Sequence, residues 1–207
     1  MKTYEVQSVK DEKEFLEKID QWPKAEIDVY PWGGDYRPRA YGICCVGPES
    51  FFVYLAAEES KVRCEVTEQN GPVCTDSCLE FFYQPTSDGY FNFEWNPKGV
   101  LHLGFGKERH GRIHVTEKNS SDFLIDKADF DRIGVTGLWY VAFQIPFSFI
   151  RSYAPEFDEK ASLIGTVNFY KCGDKMDEPH WGCFSPVKSE KPDYHRPEGF
   201  AQMKRKQ

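Results

Sequence analysis

Two glutamates stand inside apolar, strand-like runs of this sequence, and they carry its clearest chemical signal. Glu80 lies between Leu79 and Phe81 in the run CLEFFYQP, and Glu94 lies in the run GYFNFEWN. Because side chains two residues apart in a strand share one face, Glu80 is predicted on the opposite face from Leu79 and Phe81. The two apolar residues are expected in the core, which leaves Glu80 on a second surface of the sheet.

The polar residues of the second run have the right chemistry to bind hydroxyl groups. Asn92 and Glu94 share a face, and that face is expected beside Glu80 on the neighbouring strand. A carboxylate accepts hydrogen bonds and an amide both donates and accepts them, so together they match the hydroxyls of a sugar. Paired carboxylates can also hydrolyse a glycosidic bond, with Asp76 as a third candidate, so binding and catalysis both stay open. The sequence contains no G-x-S-x-G, Walker or H-E-x-x-H motif.

The elements that must position these residues are short strands separated by turn signals. Such a pattern predicts an all-β fold, an antiparallel β-sandwich with one or two short helices, at residues 10–20 and 147–154. The predicted strands are 39–46, 50–58, 61–68, 78–85, 89–96, 100–106, 111–117, 137–146, 162–174 and 200–206.

Length and composition favour a single domain over residues 1–207, with a substantial core. The net charge of −7 and the lack of a basic stripe argue against a nucleic-acid partner. No stretch approaches the apolar length of a membrane span, so no membrane partner is expected. The N-terminus lacks the apolar segment of a signal peptide, which indicates a cytoplasmic chain, or an exported one if a precursor was trimmed. The seven cysteines are expected to be mostly buried free thiols.

A long segment between Gly173 and Gly199 is predicted to be a packed, functional loop, because long loops of compact domains are usually functional or disordered. It contains Trp181, Tyr194 and His195, whose rings favour packing.

The order of these pieces resembles the family 9 carbohydrate-binding modules and the wider DOMON-like group. The resemblance extends from about Trp22 to Met203 and is carried by VCTDSCLEFF, YFNFEWNPKGVL, VNFYKCGD and PDYHRPEGFAQM. It implies a β-sandwich that binds the end of a glucan or xylan chain. In such modules two tryptophans clamp a sugar ring, a glutamate, an amide and an arginine bond its hydroxyls, and calcium is bound.

The polar residues of the family site carry over unevenly. The glutamate corresponds to Glu80 in the D-S-x-x-E motif. The arginine position is occupied by Glu94, and the nearest match to the amide is Lys171. Asn92 is expected to add a further polar contact.

The aromatic clamp is also altered. The first clamp tryptophan would fall at Cys74, and the second near Tyr194 or His195. Trp32, Trp181 or Tyr36 is expected to supply a stacking surface from a loop in place of the missing ring, and Tyr194, His195 or Trp181 is expected to stack on the sugar.

The sequence therefore predicts non-catalytic binding of a sugar or an oligosaccharide end. A glycoside-degrading enzyme is the partner protein expected to associate with the chain. The alternatives are a glycoside-active enzyme that uses paired carboxylates, and a degenerate module that serves a structural or partner-binding role. Haem binding, known in DOMON-like relatives, is disfavoured because no histidine stands at a known ligand position. Calcium is a possible cofactor, and Asp126, Asp129 and Asp131 form the acidic loop that would suit it.

Overall fold

Strands are the main regular secondary structure of this chain, as the computed structural model shows for residues 2–206. Three short α-helices lie between the strands: α1 Glu12–Glu17, α2 Phe130–Thr136 and α3 Phe147–Tyr153. The sequence predicted one or two. In chain order the strands are β1 Thr3–Ser8, β2 Ala25–Glu26, β3 Val29–Gly33, β4 Arg39–Val46, β5 Ser50–Glu58, β6 Cys78–Thr86, β7 Gly89–Trp95, β8 Leu101–Gly106, β9 Ile113–His114, β10 Leu124–Lys127, β11 Leu138–Pro146, β12 Leu163–Gly173, β13 His180–Cys183 and β14 Ala201–Arg205. No helix of these residues is long and apolar enough to cross a membrane.

The sheet is mixed, whereas the sequence predicted an antiparallel one. Its main path runs β10-β11-β5-β4-β1-β14-β12-β6-β7-β8-β9, and β13 pairs with β12 and β3. Strand β1 pairs in parallel with β14 through Thr3–Val6 and in parallel with β4 through Gln7 and Ser8. One strand therefore joins two groups of antiparallel strands, because its two ends hydrogen-bond to different neighbours.

An aromatic core lies between the two halves of the curled sheet. The ring of Phe143 on β11 lies 5.6 Å from Phe93, 6.2 Å from Phe81 and 5.2 Å from Trp95, measured between centroids. Phe81 belongs to β6, and Phe93 and Trp95 belong to β7. Strands from the two halves thus face each other, and the many aromatic residues of the sequence fill the space between them.

Residues 61–68 form a loop, so the strand predicted there is wrong. The carboxylate of Asp76 accepts hydrogen bonds from the backbone N–H of Glu65 and of Val66, each at 2.9 Å. It also accepts one from Asn96 Nδ2 at 3.1 Å. These backbone groups are satisfied by a buried side chain instead of a neighbouring strand, which overrides the alternating pattern.

The strand predicted at 111–117 shrinks to β9, only two residues long. The guanidinium of Arg112 donates to the carbonyls of Gly104 and Gly106 on β8, each at 3.2 Å. A longer β9 would need to hydrogen-bond along the same edge of β8, so the arginine limits the pairing. The loop predicted from 173 to 199 in turn contains β13, which the sequence did not reveal.

Candidate ligand-binding cavity

Two buried glutamates lie side by side on the face of the sheet away from the aromatic core. Glu80 on β6 is directly opposite Glu94 on β7. Their exposed fractions are only 2% and 7%. The alternation of the two strands accounts for this placement, since Leu79 and Phe81 do face the core as predicted. Like charges directly opposite in a sheet repel, so this pair is destabilising for the fold by itself.

Burial is the main cause of an unusual proton affinity at this pair. It raises the pKa of the Glu80 carboxyl well above its usual range, and the neighbouring charge of Glu94 raises it further. Burial also raises the pKa of Glu94, although His102 and a hydrogen bond from Asn92 act in the opposite direction. In the absence of a cation the pair therefore retains a proton at higher pH than ordinary glutamates do.

Two thiols hold one oxygen of Glu80. The Cys172 Sγ donates to Glu80 Oε1 at 2.9 Å, and the Cys78 Sγ donates to the same oxygen at 3.8 Å. Burial raises the pKa of the Cys78 thiol to about 12 and that of Cys172 well above its usual range. Both thiols are therefore protonated donors at neutral pH and fix the orientation of the carboxylate.

Asn92 holds the second glutamate in the same way. Its Nδ2 donates to Glu94 Oε1 at 2.8 Å. Its own oxygen accepts from Arg112 Nη2 at 2.6 Å. The Oε2 atoms of Glu80 and Glu94 have no hydrogen-bond partner among residues 2–206. Neither is among the completely buried atoms that lack a partner, so both keep some solvent exposure. Two acceptor oxygens are thus held in place and left reachable.

Both glutamates line a cavity of about 160 Å³. Its volume is close to the roughly 150 Å³ of an engineered cavity that holds one six-membered ring. The cavity is bordered by Cys74, Glu80, Phe82, Glu94, Arg109, Cys172, Asp174, Trp181, Pro192, Asp193, Tyr194 and His195.

The segment after β12 supplies the aromatic wall. Trp181 on β13 is only partly buried, and its indole N–H donates to Asp174 Oδ1 at 2.7 Å. The buried ring of Tyr194 stacks on Tyr170 with 3.9 Å between centroids. One face of Tyr194 is therefore already covered, whereas Trp181 still presents apolar surface at the cavity.

His195 lies in the same wall as a neutral ring. Its Nδ1 is 2.9 Å from the Tyr90 hydroxyl, and its ring is 5.1 Å from that of Phe82. Burial, together with the nearby charge of Arg112, lowers the pKa of His195 to about 3. The imidazole can therefore exchange hydrogen bonds with a ligand but carries no charge at neutral pH.

Comparison with known proteins places the chain in a family. A family model described as Carbohydrate-binding family 9 matches residues 11–205. The chain belongs to carbohydrate-binding family 9. The resemblance of the sequence motifs to the family 9 modules is thereby confirmed. A search of curated proteins gave no significant match.

Solved structures share the family 9 fold with this chain. One is a candidate carbohydrate-binding protein from Bacteroides uniformis ATCC 8492, with 24% identity, a TM-score of 0.75 and 99% of both chains covered. A family 9 module from Caldicellulosiruptor kristjanssonii, in complex with cellotriose, has 10% identity and a TM-score of 0.67, covering 99% of this chain and 94% of its own. A family 9 module from the same organism, in complex with glucose, has 9% identity and a TM-score of 0.64, covering 99% and 96%.

The cavity of this family 9 chain contains five of the seven residues that the sequence selected. Glu80, Glu94, Trp181, Tyr194 and His195 line it directly. Asn92 lies behind Glu94 and lines an adjoining groove with Arg112.

Lys171 does not reach the cavity. It faces the core side of β12, opposite Leu79, and is completely buried. Its Nζ lies 3.1 Å from Glu59 Oε1 and donates to the Cys172 carbonyl at 2.6 Å. Since strand neighbours face opposite ways, a lysine one residue before Cys172 lies behind the site that Cys172 borders.

Sequence reasoning missed Cys172, Asp174 and Arg109 as cavity residues. The alternating pattern could have predicted the first two, because Tyr170, Cys172 and Asp174 follow a period of two along VNFYKCGD. Arg109 comes from the turn after β8, where no pattern sets the direction of a side chain.

Calcium, which the resemblance implies, does not fit the acidic loop that the sequence selected. Asp126 Oδ2 accepts from the Tyr140 hydroxyl at 2.9 Å, and Asp129 caps α2. Within residues 2–206 the one compact set of potential metal-ligating side chains is Cys78, Glu80 and Cys172. Two sulfur donors suit soft metals and not calcium.

Proposed function

We propose that this family 9 chain binds one sugar unit, free or at the end of an oligosaccharide, without catalysing a reaction. The observation that carries the proposal is the pair of reachable Oε2 atoms on Glu80 and Glu94, which open into a ring-sized cavity beside Trp181. Sugar hydroxyls donate hydrogen bonds to such carboxylates, and the tryptophan covers the apolar face of the ring. Family 9 modules in complex with cellotriose and with glucose support this ligand class.

Binding is favoured over glycoside hydrolysis by the relative position of the carboxylates. A glycosidase places its two carboxyl groups on either side of the bond to be cleaved. Glu80 and Glu94 are neighbours on adjacent strands of one sheet face, so both approach a ligand from the same side. The free thiols and the amide around them hold the carboxylates still and offer no activated nucleophile, because burial raises the pKa of each thiol.

The proposal is tested by following the melting temperature and tryptophan fluorescence against a panel of mono- and oligosaccharides, with and without calcium. A ligand that binds only the folded state raises the melting temperature in a saturable way, with about 2.7 kcal/mol of added stability at a hundred times Kd. We expect a shift that is lost in Glu80→Ala and kept in Glu26→Gln, which removes an exposed carboxylate on β2.

Two outcomes separate the alternatives. Absence of any shift across the panel would contradict sugar binding and favour a partner-binding module with a degenerate site. Release of reducing sugar by the wild-type chain, abolished in Glu80→Gln while binding persists, would instead establish a glycosidase. Association with a glycoside-degrading enzyme stays a prediction, tested by copurification with such an enzyme.

A further inference from the structure

Acidic side chains outnumber basic ones around the cavity. Four carboxylates border it, on Glu80, Glu94, Asp174 and Asp193, against one guanidinium, on Arg109. Arg109 Nη1 lies 3.1 Å from Asp193 Oδ1, and Arg196 Nε lies 2.8 Å from Asp193 Oδ2, so Asp193 has counter-charges of its own. His195 adds no charge, because it is neutral at physiological pH.

The remaining three carboxylates have no cation of their own. In the described part of the chain, no lysine, arginine or histidine nitrogen lies within 4.0 Å of an oxygen of Glu80, Glu94 or Asp174. The lysine nearest in sequence, Lys171, directs its ammonium to Glu59 on the other face. A buried carboxylate without a counter-charge is costly, and two that lie opposite each other are more so.

A ligand cation would remove that cost. The structure assigns to this cavity a sugar that carries a protonated amine, such as a hexosamine with a free amino group, whose ammonium lies between Glu80 and Glu94. This inference rests on the proposed function, because it names the class of sugar that the same site takes.

The chemistry of the walls matches such a ligand in three respects. An ammonium group has three N–H donors and no acceptor, which suits Glu80 Oε2 and Glu94 Oε2 on directly opposite residues, and Asp174 adds a further acidic group to the same cavity. Charge-assisted hydrogen bonds of this kind are stronger than those to a neutral hydroxyl. The partly buried Trp181 and the ring-sized volume accommodate the carbon skeleton, which a bare metal ion would leave without a contact.

The proton affinity of the pair fits the same ligand. Burial raises the pKa of both carboxyls, and the charge of Glu94 raises the pKa of Glu80 further, so the pair without a ligand retains a proton more readily than ordinary glutamates do. An ammonium group replaces this proton and favours the ionised form of both carboxylates, and the released proton passes to solvent. A sugar with an N-acetyl group in place of the amine has no charge with which to do so.

The experiment is a calorimetric titration of the chelator-treated protein at neutral pH and low salt with D-glucosamine, D-glucose and N-acetyl-D-glucosamine. We expect D-glucosamine to bind about tenfold more tightly than the two neutral sugars, since one charge-assisted hydrogen bond corresponds to roughly that factor. Glu94→Gln should abolish the difference by weakening D-glucosamine about tenfold more than it weakens D-glucose. The substitution keeps the shape of the side chain, and Glu26→Gln is the matched control.

The outcomes separate this inference from the proposed function. Equal affinities for D-glucose and D-glucosamine would overturn the preference for an amine and leave sugar binding intact. Loss of D-glucose and D-glucosamine binding to the same degree in Glu94→Gln would assign that glutamate to hydroxyl recognition and also overturn it. No binding of any of the three sugars would overturn both proposals. A tightly bound metal ion found by elemental analysis before chelation, whose readdition blocks D-glucosamine, would show that a metal takes the place assigned to the amine.

Discussion

At the scale of single residues, the cavity depends on side chains that are held by others. Glu80 is oriented by two thiols, and Glu94 by the amide of Asn92. Each glutamate keeps one oxygen free because its other oxygen is occupied. The arrangement is pre-organised for an acceptor role, since no side chain must move to present these oxygens.

A first prediction concerns the charge of Glu94. Its folded-state pKa lies above the usual 4.5, mainly through burial, so its contribution to stability is largest below pH 4.5 and is lost as the pH rises through the folded-state pKa. Glu94→Gln should therefore raise the free energy of unfolding at pH 8 by about 1 kcal/mol and by much less at pH 4.5. Urea unfolding at both pH values measures this, and an equal effect at both would contradict it.

At the scale of elements, strand β12 separates two environments. One face carries Cys172 to the cavity, and the other carries Lys171 to a buried ion pair with Glu59. Trp139 Nε1 donates to the other oxygen of Glu59 at 2.6 Å. His180 also lies near this carboxylate, but burial lowers the pKa of His180 to about 4, so Lys171 supplies the compensating charge.

A second prediction follows from this ion pair. Lys171→Met should lower the free energy of unfolding by about 3–5 kcal/mol, because it leaves the buried Glu59 without its counter-charge. Sugar affinity of the folded fraction should stay within about twofold, since Lys171 does not line the cavity. Addition of Glu59→Gln should restore part of the stability. A large loss of sugar affinity with unchanged stability would show instead that Lys171 acts on the ligand.

At the scale of the whole molecule, two antiparallel groups of strands are joined by β1 and packed through aromatic rings. The cavity lies outside this core, on the opposite face of β6 and β7. The core fixes the position of the cavity only through these two strands. The stability of the core and the ligand affinity of the cavity can therefore be changed separately.

A third prediction tests the core at this scale. Phe143→Ala should cost about 3–5 kcal/mol, because the ring of Phe143 contacts Phe81, Phe93 and Trp95 across the two halves. Ile113→Ala, at an exposed position, should change the stability by less than about 0.5 kcal/mol. Urea unfolding of both variants measures the difference, and comparable effects would contradict a shared core.

The sequence by itself determined the strands whose side chains alternate, and with them the faces of Glu80 and Glu94. Strands β4 and β5 begin and end where the pattern predicts them, at Arg39–Val46 and Ser50–Glu58. Local alternation is sufficient here because a strand with one face in the core exposes the other face to a different environment. The family motifs added the assignment of the fold.

Only the tertiary structure decided which groups meet across long distances in the chain. The parallel pairing of β1 with β14, the partnership of Lys171 with Glu59, and the replacement of a strand at 61–68 by a loop bound to Asp76 all join distant segments. Hydrogen bonds and ion pairs between such segments leave no periodic signal in the sequence, because their partners are fixed by chain topology and not by neighbouring residues. For the same reason, the sequence showed two glutamates on one face, and the folded chain showed that they stand opposite each other without a cation.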